Sequence, residues 1–343
     1  MASGHPVTDG SSNRNEGGLP MLRVAFLGAL ASSFADRVRA HLSVPCDFIH
    51  TDEKNAVDEL SEVDVLVTLV FTREMGASAR RLRLIQVPGA GLDRIDRSAM
   101  PPAVSLSKVH GHETGIAEYV IGAMIALSRN FERVNSSLRE GLWESQWAPG
   151  VPPPPVWPEL AGRTLGILGY GGIGQAIARR AAAFDMSVAA IRRDVGRSAE
   201  DDLSLLGTIE ILDEVLRVSD YLAITMPLTS ETQGLLGAKQ LSLLKPTAIL
   251  VNVSRAQIVD EDALYDALAE RRIAGAALDV WYRYPSAPGP VFPGRRPFHK
   301  LPNVLMTPHV SGWTDGMLEA RAKVIAENIG RTARGEAPVN LVS

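Results

Sequence analysis

The sequence predicts an α/β protein with two doubly wound parallel sheets in two domains. Short apolar segments alternate with helical patterns over most of the chain, which is typical of parallel sheets covered by helices. The chain has 343 residues, more than one ordinary hydrophobic core contains. Six prolines lie between Trp147 and Pro158, and this stiff, extended segment separates two alternating series.

The first alternating series begins at Leu22 and is followed by a long helix. That helix is predicted from Glu113 to about Glu140, since apolar side chains recur at helical spacing in its first half. The predicted strands are Leu22–Leu27, Asp47–His50, Val63–Val70 and Leu84–Val87, with helices near Ser33–Leu42 and Asn55–Leu60.

The second series contains six predicted strands with helices between them. Asp260 is predicted to cap the helix that contains Leu264 and Leu268. A loop at Pro285–Pro297 and a last helix from Asp315 to about Arg334 complete the chain. The six strands are Thr164–Leu168, Ser187–Ile191, Tyr221–Thr225, Ala248–Val253, Gly275–Val280 and Val304–Thr307.

This order of elements predicts an inserted domain. We expect residues 115–314 to form one domain within another that comprises residues 21–114 and 315–343, with a cleft between the two lobes. Residues 1–20 are polar and glycine-rich and are predicted to be a disordered arm.

Composition narrows the functional class. The net charge of −4 gives no reason to expect nucleic acid or an anionic membrane as a partner. The single cysteine, Cys46, excludes an internal disulfide and fits a reducing cytosol. Neither a signal peptide nor an apolar segment of membrane-spanning length is evident, so a cytoplasmic protein is expected. No metal site is predicted.

The most informative motif is a glycine turn between the strand at Thr164–Leu168 and a helix. Gly169 permits the tight turn, Gly171 lets the backbone approach a pyrophosphate, and Gly174 allows close packing of helix on strand. The first N–H groups of the helix, including those of Gly172 and Ile173, would then point at the phosphates. The motif predicts a dinucleotide cofactor.

The end of the next strand predicts which cofactor binds. An NAD-binding domain carries an acid about 20 residues after the glycine turn, whereas this chain has Arg192 with Arg193 beside it. Two guanidinium groups attract a 2′-phosphate, which favours NADP over NAD. The alternative is that a shift of one or two residues brings the carboxylate of Asp194 to the ribose.

Two further side chains follow strands of the same series. Arg255 ends the segment Leu250–Arg255, and His309 lies in the segment Thr307–Trp313. Ligands of open parallel sheets bind at the carboxyl ends of strands. Reduction of a carbonyl by hydride needs a proton donor, and a 2-oxo acid needs a cation to orient it. Histidine and arginine provide both.

Taken together, these segments resemble the D-isomer-specific 2-hydroxyacid dehydrogenases, which include phosphoglycerate dehydrogenase, glyoxylate/hydroxypyruvate reductase and formate dehydrogenase. The resemblance runs from about Leu22 to Asn340. It rests on seven ordered motifs: 89–96 (GAGLDRID), 116–119 (IAEY), 165–174 (LGILGYGGIG), 226–232 (MPLTSET), 252–255 (NVSR), 277–280 (ALDV) and 307–309 (TPH).

The resemblance implies a fold and roles for individual residues. The fold would be a Rossmann NAD(P)-binding domain inserted into a flavodoxin-like substrate domain. Arg255 would orient the substrate, His309 would protonate the alkoxide, and the backbone N–H groups of Ala90 and Gly91 would bind the substrate carboxylate. The helix near residues 113–140 would form a homodimer. Positions that would line the cofactor are Met226, Pro227, Val253, Asp279 and Gly312.

One position departs from the family pattern. Most members have a glutamate that pairs with the catalytic histidine, and this chain has Tyr284 there. A phenol lacks the charge that raises a histidine pKa, although its oxygen can still orient the ring. We therefore expect the pKa of His309 to be lower than in glutamate-bearing relatives, and reduction to fall off at a lower pH.

The sequence thus predicts an NAD(P)-dependent enzyme that acts on the CH–OH group of a small D-2-hydroxy acid and reduces the corresponding 2-oxo acid. Glyoxylate and hydroxypyruvate are the favoured substrates. One alternative is an enzyme like formate dehydrogenase, which carries glutamine at the position of Tyr284. The other is a non-catalytic protein that senses NAD(P), like the corepressor members of the family.

Overall fold

A computed structural model of the chain describes residues 21–150, 152, 155–196 and 202–342. The arm predicted at residues 1–20 lies outside the described residues. The chain divides into two compact units, with boundaries between Gly111 and His112 and between Thr314 and Asp315. The first boundary lies three residues before the one predicted from the sequence.

Both units are built on parallel β-strands. In chain order, the strands of the described residues are β1 (Leu22–Leu27), β2 (Cys46–Thr51), β3 (Val65–Val67), β4 (Leu84–Val87), β5 (Ser105–Lys108), β6 (Thr164–Leu168), β7 (Ser187–Ile191), β8 (Leu205–Gly207), β9 (Tyr221–Ile224), β10 (Ile249–Asn252), β11 (Gly275–Leu278) and β12 (Val304–Met306).

Helices cover both faces of these sheets. The α-helices of the described residues are α1 (Gly28–Ser32), α2 (Ala35–His41), α3 (Ala56–Glu59), α4 (Arg73–Ser78), α5 (Glu113–Ser128), α6 (Phe131–Arg139), α7 (Gly172–Ala182), α8 (Leu212–Val218), α9 (Ala238–Leu241), α10 (Glu261–Ala269) and α11 (Asp315–Arg334). Among them, no helix is long and apolar enough to cross a membrane.

The first unit is a five-stranded sheet in the order β2-β1-β3-β4-β5, with parallel pairing throughout. Alternate side chains of β1 point to opposite faces. Val24 and Phe26 pack in the core with Val38 of α2 and Ile325 of α11, whereas Ala25 packs in the core on the other face. The last helix of the chain therefore completes the core of the first unit.

The second unit is a seven-stranded parallel sheet in the order β12-β11-β10-β9-β6-β7-β8. Helices α5 and α7 cover one face, with Val120 and Ile177 in its core, and helices α8 and α10 cover the other, with Leu216 and Leu264. The strand order reverses at β6, so the carboxyl ends of β6 and β9 flank the crevice where such sheets bind ligands. The predicted α/β class is confirmed.

Several predicted element boundaries are wrong. The helix expected from Glu113 to Glu140 is two helices, because Asn130 adopts a left-handed backbone with φ of 51° and ends α5. Strands β5 and β8 were not predicted: β5 contains polar Ser105, Ser107 and Lys108, and β8 has only three residues at the edge of its sheet. The predicted cap is confirmed, since Asp260 accepts a hydrogen bond from the Ala263 N–H at 2.8 Å.

Candidate active site

The carboxyl edge of the seven-stranded sheet carries most of the predicted site residues. Strands β9, β10, β11 and β12 all end one or two residues earlier than predicted, and the residues released form loops along this edge. The loops follow strands that neighbour one another in the sheet. The site residues they carry, with the strand each follows, are Gly169 (β6), Arg192 (β7), Met226 (β9), Arg255 (β10), Asp279 (β11) and His309 (β12).

The glycine turn after β6 has three different steric environments. Gly169 has φ of 112°, and a Cβ there would lie 2.4 Å from the backbone nitrogen of Met226. A Cβ at Gly174 would lie 2.6 Å from the carbonyl oxygen of Gly169. A Cβ at Gly171 would meet no atom of the described residues within 4 Å. Packing within the domain therefore requires glycine at positions 169 and 174. The absence of a side chain at Gly171 instead leaves space in front of the turn.

That open space lies at the start of α7. Gly171 is the N-cap residue and has no side chain with which to cap the helix. The first N–H groups of a helix and its dipole favour a bound anion. Gly171, Gly172, Ile173 and Gly174 thus fit the pyrophosphate of a dinucleotide, since a side chain at Gly171 would fill the approach.

Arg192 is the first residue after β7, next to the glycine turn. The carbonyl of Ile191, the last residue of β7, accepts hydrogen bonds from the N–H groups of Gly169 at 3.0 Å and Tyr170 at 2.8 Å. Asp194 instead accepts a hydrogen bond from the Gly196 N–H at 2.8 Å. The position next to the turn therefore carries the guanidinium group of Arg192. The carboxylate of Asp194 instead stabilises the loop that follows.

Arg255 is presented by a turn that two buried side chains stabilise. Asn252, at the end of β10, is 1% exposed. Its side-chain amide donates to the Arg255 carbonyl at 3.0 Å, and its amide oxygen accepts from the Ser254 N–H at 3.1 Å. The Ser254 hydroxyl donates to the Met226 carbonyl, and the Arg255 guanidinium donates to the Ser254 carbonyl at 2.8 Å. This turn therefore joins the loops after β9 and β10.

His309 has an unusual backbone that Asp279 stabilises. Its φ is 59°, in the left-handed region that costs free energy for residues other than glycine. The carboxylate of Asp279 is fully buried and accepts hydrogen bonds from the N–H groups of Val310 and Ser311, each at 2.9 Å. These bonds follow His309 directly and compensate for the strain. Asp279 was predicted to line the cofactor, but its side chain is engaged in this turn.

Tyr284 and His309 form a pair. The Tyr284 hydroxyl lies 2.8 Å from Nδ1 of His309 and accepts a hydrogen bond from the Trp281 N–H at 3.3 Å. Partial burial lowers the pKa of His309 below its ordinary value; the Asp279 charge opposes this shift and the Arg255 charge adds to it. Burial raises the pKa of Tyr284, which Arg255 partly offsets. The charge of Arg255 therefore acts on both members of the pair.

Tyr119 and Thr307 are site residues whose roles were not predicted. The Thr307 hydroxyl donates its only proton to Asp279 at 2.6 Å, so Tyr119, 2.7 Å away, donates to Thr307. Burial is the main cause that raises the pKa of Tyr119. Both residues lie in motifs that carried the family resemblance, which is the signal that could have identified them. They connect α5 to the turn that carries His309.

The remaining predicted site residues differ in burial and in the unit to which they belong. Met226 and Val253 are buried after β9 and β10, whereas Pro227 is exposed. A Cβ at Gly312 would lie 3.2 Å from the Cβ of His112. Ala90 and Gly91 belong to the first unit, in the loop after β4, where Arg321 donates to the Pro88 carbonyl at 3.0 Å.

Comparison with known proteins identifies the family of this fold and site. The model for the NAD binding domain of D-isomer specific 2-hydroxyacid dehydrogenases matches residues 121–311. The chain belongs to this family. It is an NAD(P)-dependent oxidoreductase of the 2-hydroxyacid dehydrogenase type with a Rossmann fold in its second unit.

Relatives of this dehydrogenase resemble it over most of its length. The glyoxylate reductase of Pyrococcus furiosus is 36% identical over 295 residues, which cover 84% of each chain. The D-3-phosphoglycerate dehydrogenase of Methanocaldococcus jannaschii is 31% identical over 85% of this chain, but the match spans only 54% of that relative. The solved structure of a D-isomer specific 2-hydroxyacid dehydrogenase from Xanthobacter autotrophicus Py2, in complex with NADPH and MES, is 27% identical with a TM-score of 0.74, covering 94% of this chain and 98% of that one.

Proposed function

We propose that this protein is an NADPH-dependent reductase that converts a small 2-oxo acid to the D-2-hydroxy acid, with glyoxylate and hydroxypyruvate as favoured substrates. The observation that carries the proposal is the shared carboxyl edge of one sheet, where the glycine turn, Arg255 and the Tyr284–His309 pair follow strands of the same unit. Relatives named glyoxylate reductase support the substrate class.

Each polar group of the site has a distinct task in this reaction. The Arg255 guanidinium binds the substrate carboxylate or carbonyl by charge-assisted hydrogen bonds. His309 protonates the oxygen that becomes a hydroxyl. The backbone N–H groups of Ala90 and Gly91 are proposed, from the family resemblance, to bind the carboxylate as well. A bound nicotinamide supplies the hydride.

The preference for NADP rests on two adjacent cations. Arg192 and Arg193 follow β7 at the position where an NAD-binding domain carries an acid. Arg193 lies close enough to the loop after β9 that its charge contributes, after hydrogen bonds led by the Thr229 hydroxyl, to the lowered pKa of Glu231. The relative from Xanthobacter autotrophicus Py2 was solved with NADPH. A 2′-phosphate would bind between these two guanidinium groups.

We further propose that the protein is a homodimer, in which α6 and the segment after it contact a second copy. Four large apolar side chains there are more than half exposed: Phe131, Leu138, Leu142 and Trp143. Phe131 and Leu138 are seven residues apart and therefore share a face of α6. Such exposed apolar groups mark interaction surfaces. A single cysteine fits a cytosolic location for this dimer.

A spectrophotometric assay tests the proposed activity. Oxidation of NADPH and of NADH is followed with a panel of 2-oxo acids, for the wild type, His309→Ala and His299→Ala. His299 is an exposed histidine of the same unit and is the matched control. We expect His309→Ala to lower kcat by about 10²–10⁴-fold and His299→Ala to leave it unchanged. Turnover that survives His309→Ala contradicts the proposed role of His309.

The same assay addresses the two alternatives. NAD(P)+ reduction by formate, with no reduction of any 2-oxo acid, would indicate a formate dehydrogenase. Tight binding of NADPH without turnover on any acid would indicate a sensor. The Arg255 turn and the strained backbone of His309 favour an enzyme, because a binding protein has no need to maintain a strained histidine.

A further inference from the structure

The Tyr284 hydroxyl has two hydrogen-bond partners among the described residues. The Trp281 N–H can only donate, so the Tyr284 oxygen is the acceptor in that contact of 3.3 Å. Among the described residues, Nδ1 of His309 is the other group within hydrogen-bond distance, at 2.8 Å. The Trp281 contact leaves the hydroxyl proton available for Nδ1, in which case Tyr284 is the donor of the pair. A neutral imidazole that accepts at Nδ1 carries its own proton on Nε2.

This arrangement is the reverse of a carboxylate–histidine pair. A carboxylate can only accept, so it fixes the histidine proton on Nδ1 and leaves Nε2 bare until the ring becomes cationic. With a phenol that donates at this position, the neutral ring already presents Nε2–H. Partial burial lowers the pKa of His309, so the neutral ring predominates to lower pH than usual.

We propose that Tyr284 and His309 act as a proton relay, in which the phenol is the source of the proton that reduction consumes. The inference rests on the proposed reductase activity. As the carbonyl carbon accepts the hydride and is reduced, the Nε2–H bond of His309 breaks and the O–H bond of the product forms. At the same time the O–H bond of Tyr284 breaks and an Nδ1–H bond forms on His309. Water then returns a proton to the phenolate.

Two groups beside the pair favour the phenolate that this step creates and partly offset burial, which raises the pKa of Tyr284. The Trp281 N–H already points at the oxygen, and the nearby Arg255 charge favours the ionised form of Tyr284. Asp279 is the opposing charge, but its carboxylate is occupied by Thr307 and by the N–H groups of Val310 and Ser311. An alkoxide is a stronger base than a phenolate, so the transfer runs downhill toward the product.

The relay changes the pH dependence that a lone histidine would have. A lone histidine must be cationic to donate, so reduction would fall as the pH rises through its lowered pKa. In the relay the neutral pair is the active form. Reduction then continues until Tyr284 ionises, and burial raises the pKa of that group.

The first test is the pH dependence of kcat for reduction in the wild type, Tyr284→Phe and Tyr282→Phe, from below the pKa of histidine to above that of tyrosine. Tyr282 is the matched control, because its hydroxyl donates to the Val259 carbonyl at 2.9 Å. We expect a plateau for the wild type and Tyr282→Phe, and for Tyr284→Phe a fall of about tenfold per pH unit above the pKa of His309. Parallel profiles for the wild type and Tyr284→Phe would overturn the relay.

A second variant leaves the packing of the site nearly unchanged. Fluorinated tyrosine at position 284 lowers the pKa of the phenol while preserving its shape. The alkaline limit of reduction should move down by the amount that fluorination lowers the pKa of free tyrosine. A limit that stays in place would contradict a phenol as proton source.

A third measurement does not need turnover, which separates failure of the relay from failure of the proposed function. Nitrogen-15 NMR of labelled histidine distinguishes the two neutral tautomers. The relay requires the Nε2–H tautomer for His309 in the wild type. An Nδ1–H tautomer would overturn the relay even in an active reductase. The expected tautomer in a protein that reduces no 2-oxo acid would contradict the proposed function while leaving the direction of the hydrogen bond intact.

Discussion

The carboxylate of Asp279 accepts a hydrogen bond of 2.6 Å from the hydroxyl of Thr307. These residues directly follow the neighbouring strands β11 and β12, whose last residues, Leu278 and Met306, are paired in register. The same carboxylate accepts from the N–H groups of Val310 and Ser311. The buried carboxylate of Asp279 therefore connects the end of the sheet to the loop that carries His309.

This relationship predicts the effect of Asp279→Asn. The amide has one acceptor oxygen, so at least one of the three donors would face an NH₂ group and lose its partner. We expect a loss of about 1–3 kcal/mol in the free energy of unfolding, together with a lower kcat. Urea unfolding and steady-state kinetics measure the two effects. Asp262→Asn is the control, since Asp262 is a half-buried acid whose partners are Arg295 and Arg296. Equal stability of the two variants would contradict the role assigned to Asp279.

The glycine turn predicts that two similar substitutions both weaken NADPH binding but differ in their effect on stability. Gly169→Ala places a Cβ 2.4 Å from the Met226 nitrogen at a φ of 112°, so we expect a lower melting temperature and weak NADPH binding. Gly171→Ala meets no atom of the described residues within 4 Å, so we expect an unchanged melting temperature with weak binding.

Thermal unfolding and fluorescence titration with NADPH separate these outcomes. Gly122→Ala serves as the control for both, because a Cβ at this position in α5 also meets no atom of the described residues within 4 Å. Normal NADPH affinity in Gly171→Ala would mean that the cofactor does not approach this residue.

The two arginines after β7 predict how the cofactor preference can be changed. Each charge-assisted hydrogen bond to a 2′-phosphate contributes about 1.5–3 kcal/mol. Arg192→Ala should therefore raise the Kd for NADPH by about ten- to a hundredfold and barely affect NADH. Arg192→Asp should go further and improve NADH binding. Arg179→Ala, an exposed arginine of α7, is the control. Unchanged discrimination in both Arg192 variants would place the 2′-phosphate elsewhere.

The sequence predicted the strands well where apolar side chains predominate, and less well elsewhere. Strands β1, β4, β6 and β7 begin and end at the predicted residues. By contrast, β5 alternates polar and apolar residues, and its Ser107 is buried because Asn328 of α11 donates to it at 3.0 Å. Asn328 and Ser107 are more than two hundred positions apart, so their contact has no signature in the local sequence. The break at Asn130 also escaped prediction, since neither glycine nor proline marks it.

At the site, the sequence identified Arg255, His309 and Tyr284 but not the groups that orient them. Arg255 and His309 were identified because they follow the ends of predicted strands. Tyr284 was identified because it departs from the family pattern. The roles of Asn252, Thr307 and Tyr119 depend on which loops are neighbours, which follows from the strand order. The left-handed backbone of His309 and the contact of the Tyr284 hydroxyl with Nδ1 are properties of folded geometry alone.

The exposed apolar face of α6 predicts the result of placing a charge there. A buried carboxylate without a partner is costly, so Leu138→Glu and Trp143→Glu should disfavour a homodimer that covers these side chains. We expect the wild type to sediment as a dimer and the double variant as a monomer at the same concentration. Ile209→Glu is the matched control, because Ile209 is 49% exposed, close to the 52% of Leu138, and lies outside this segment. A variant that sediments like the wild type would show that this face is not the interface, and a monomeric wild type would contradict the proposed homodimer altogether.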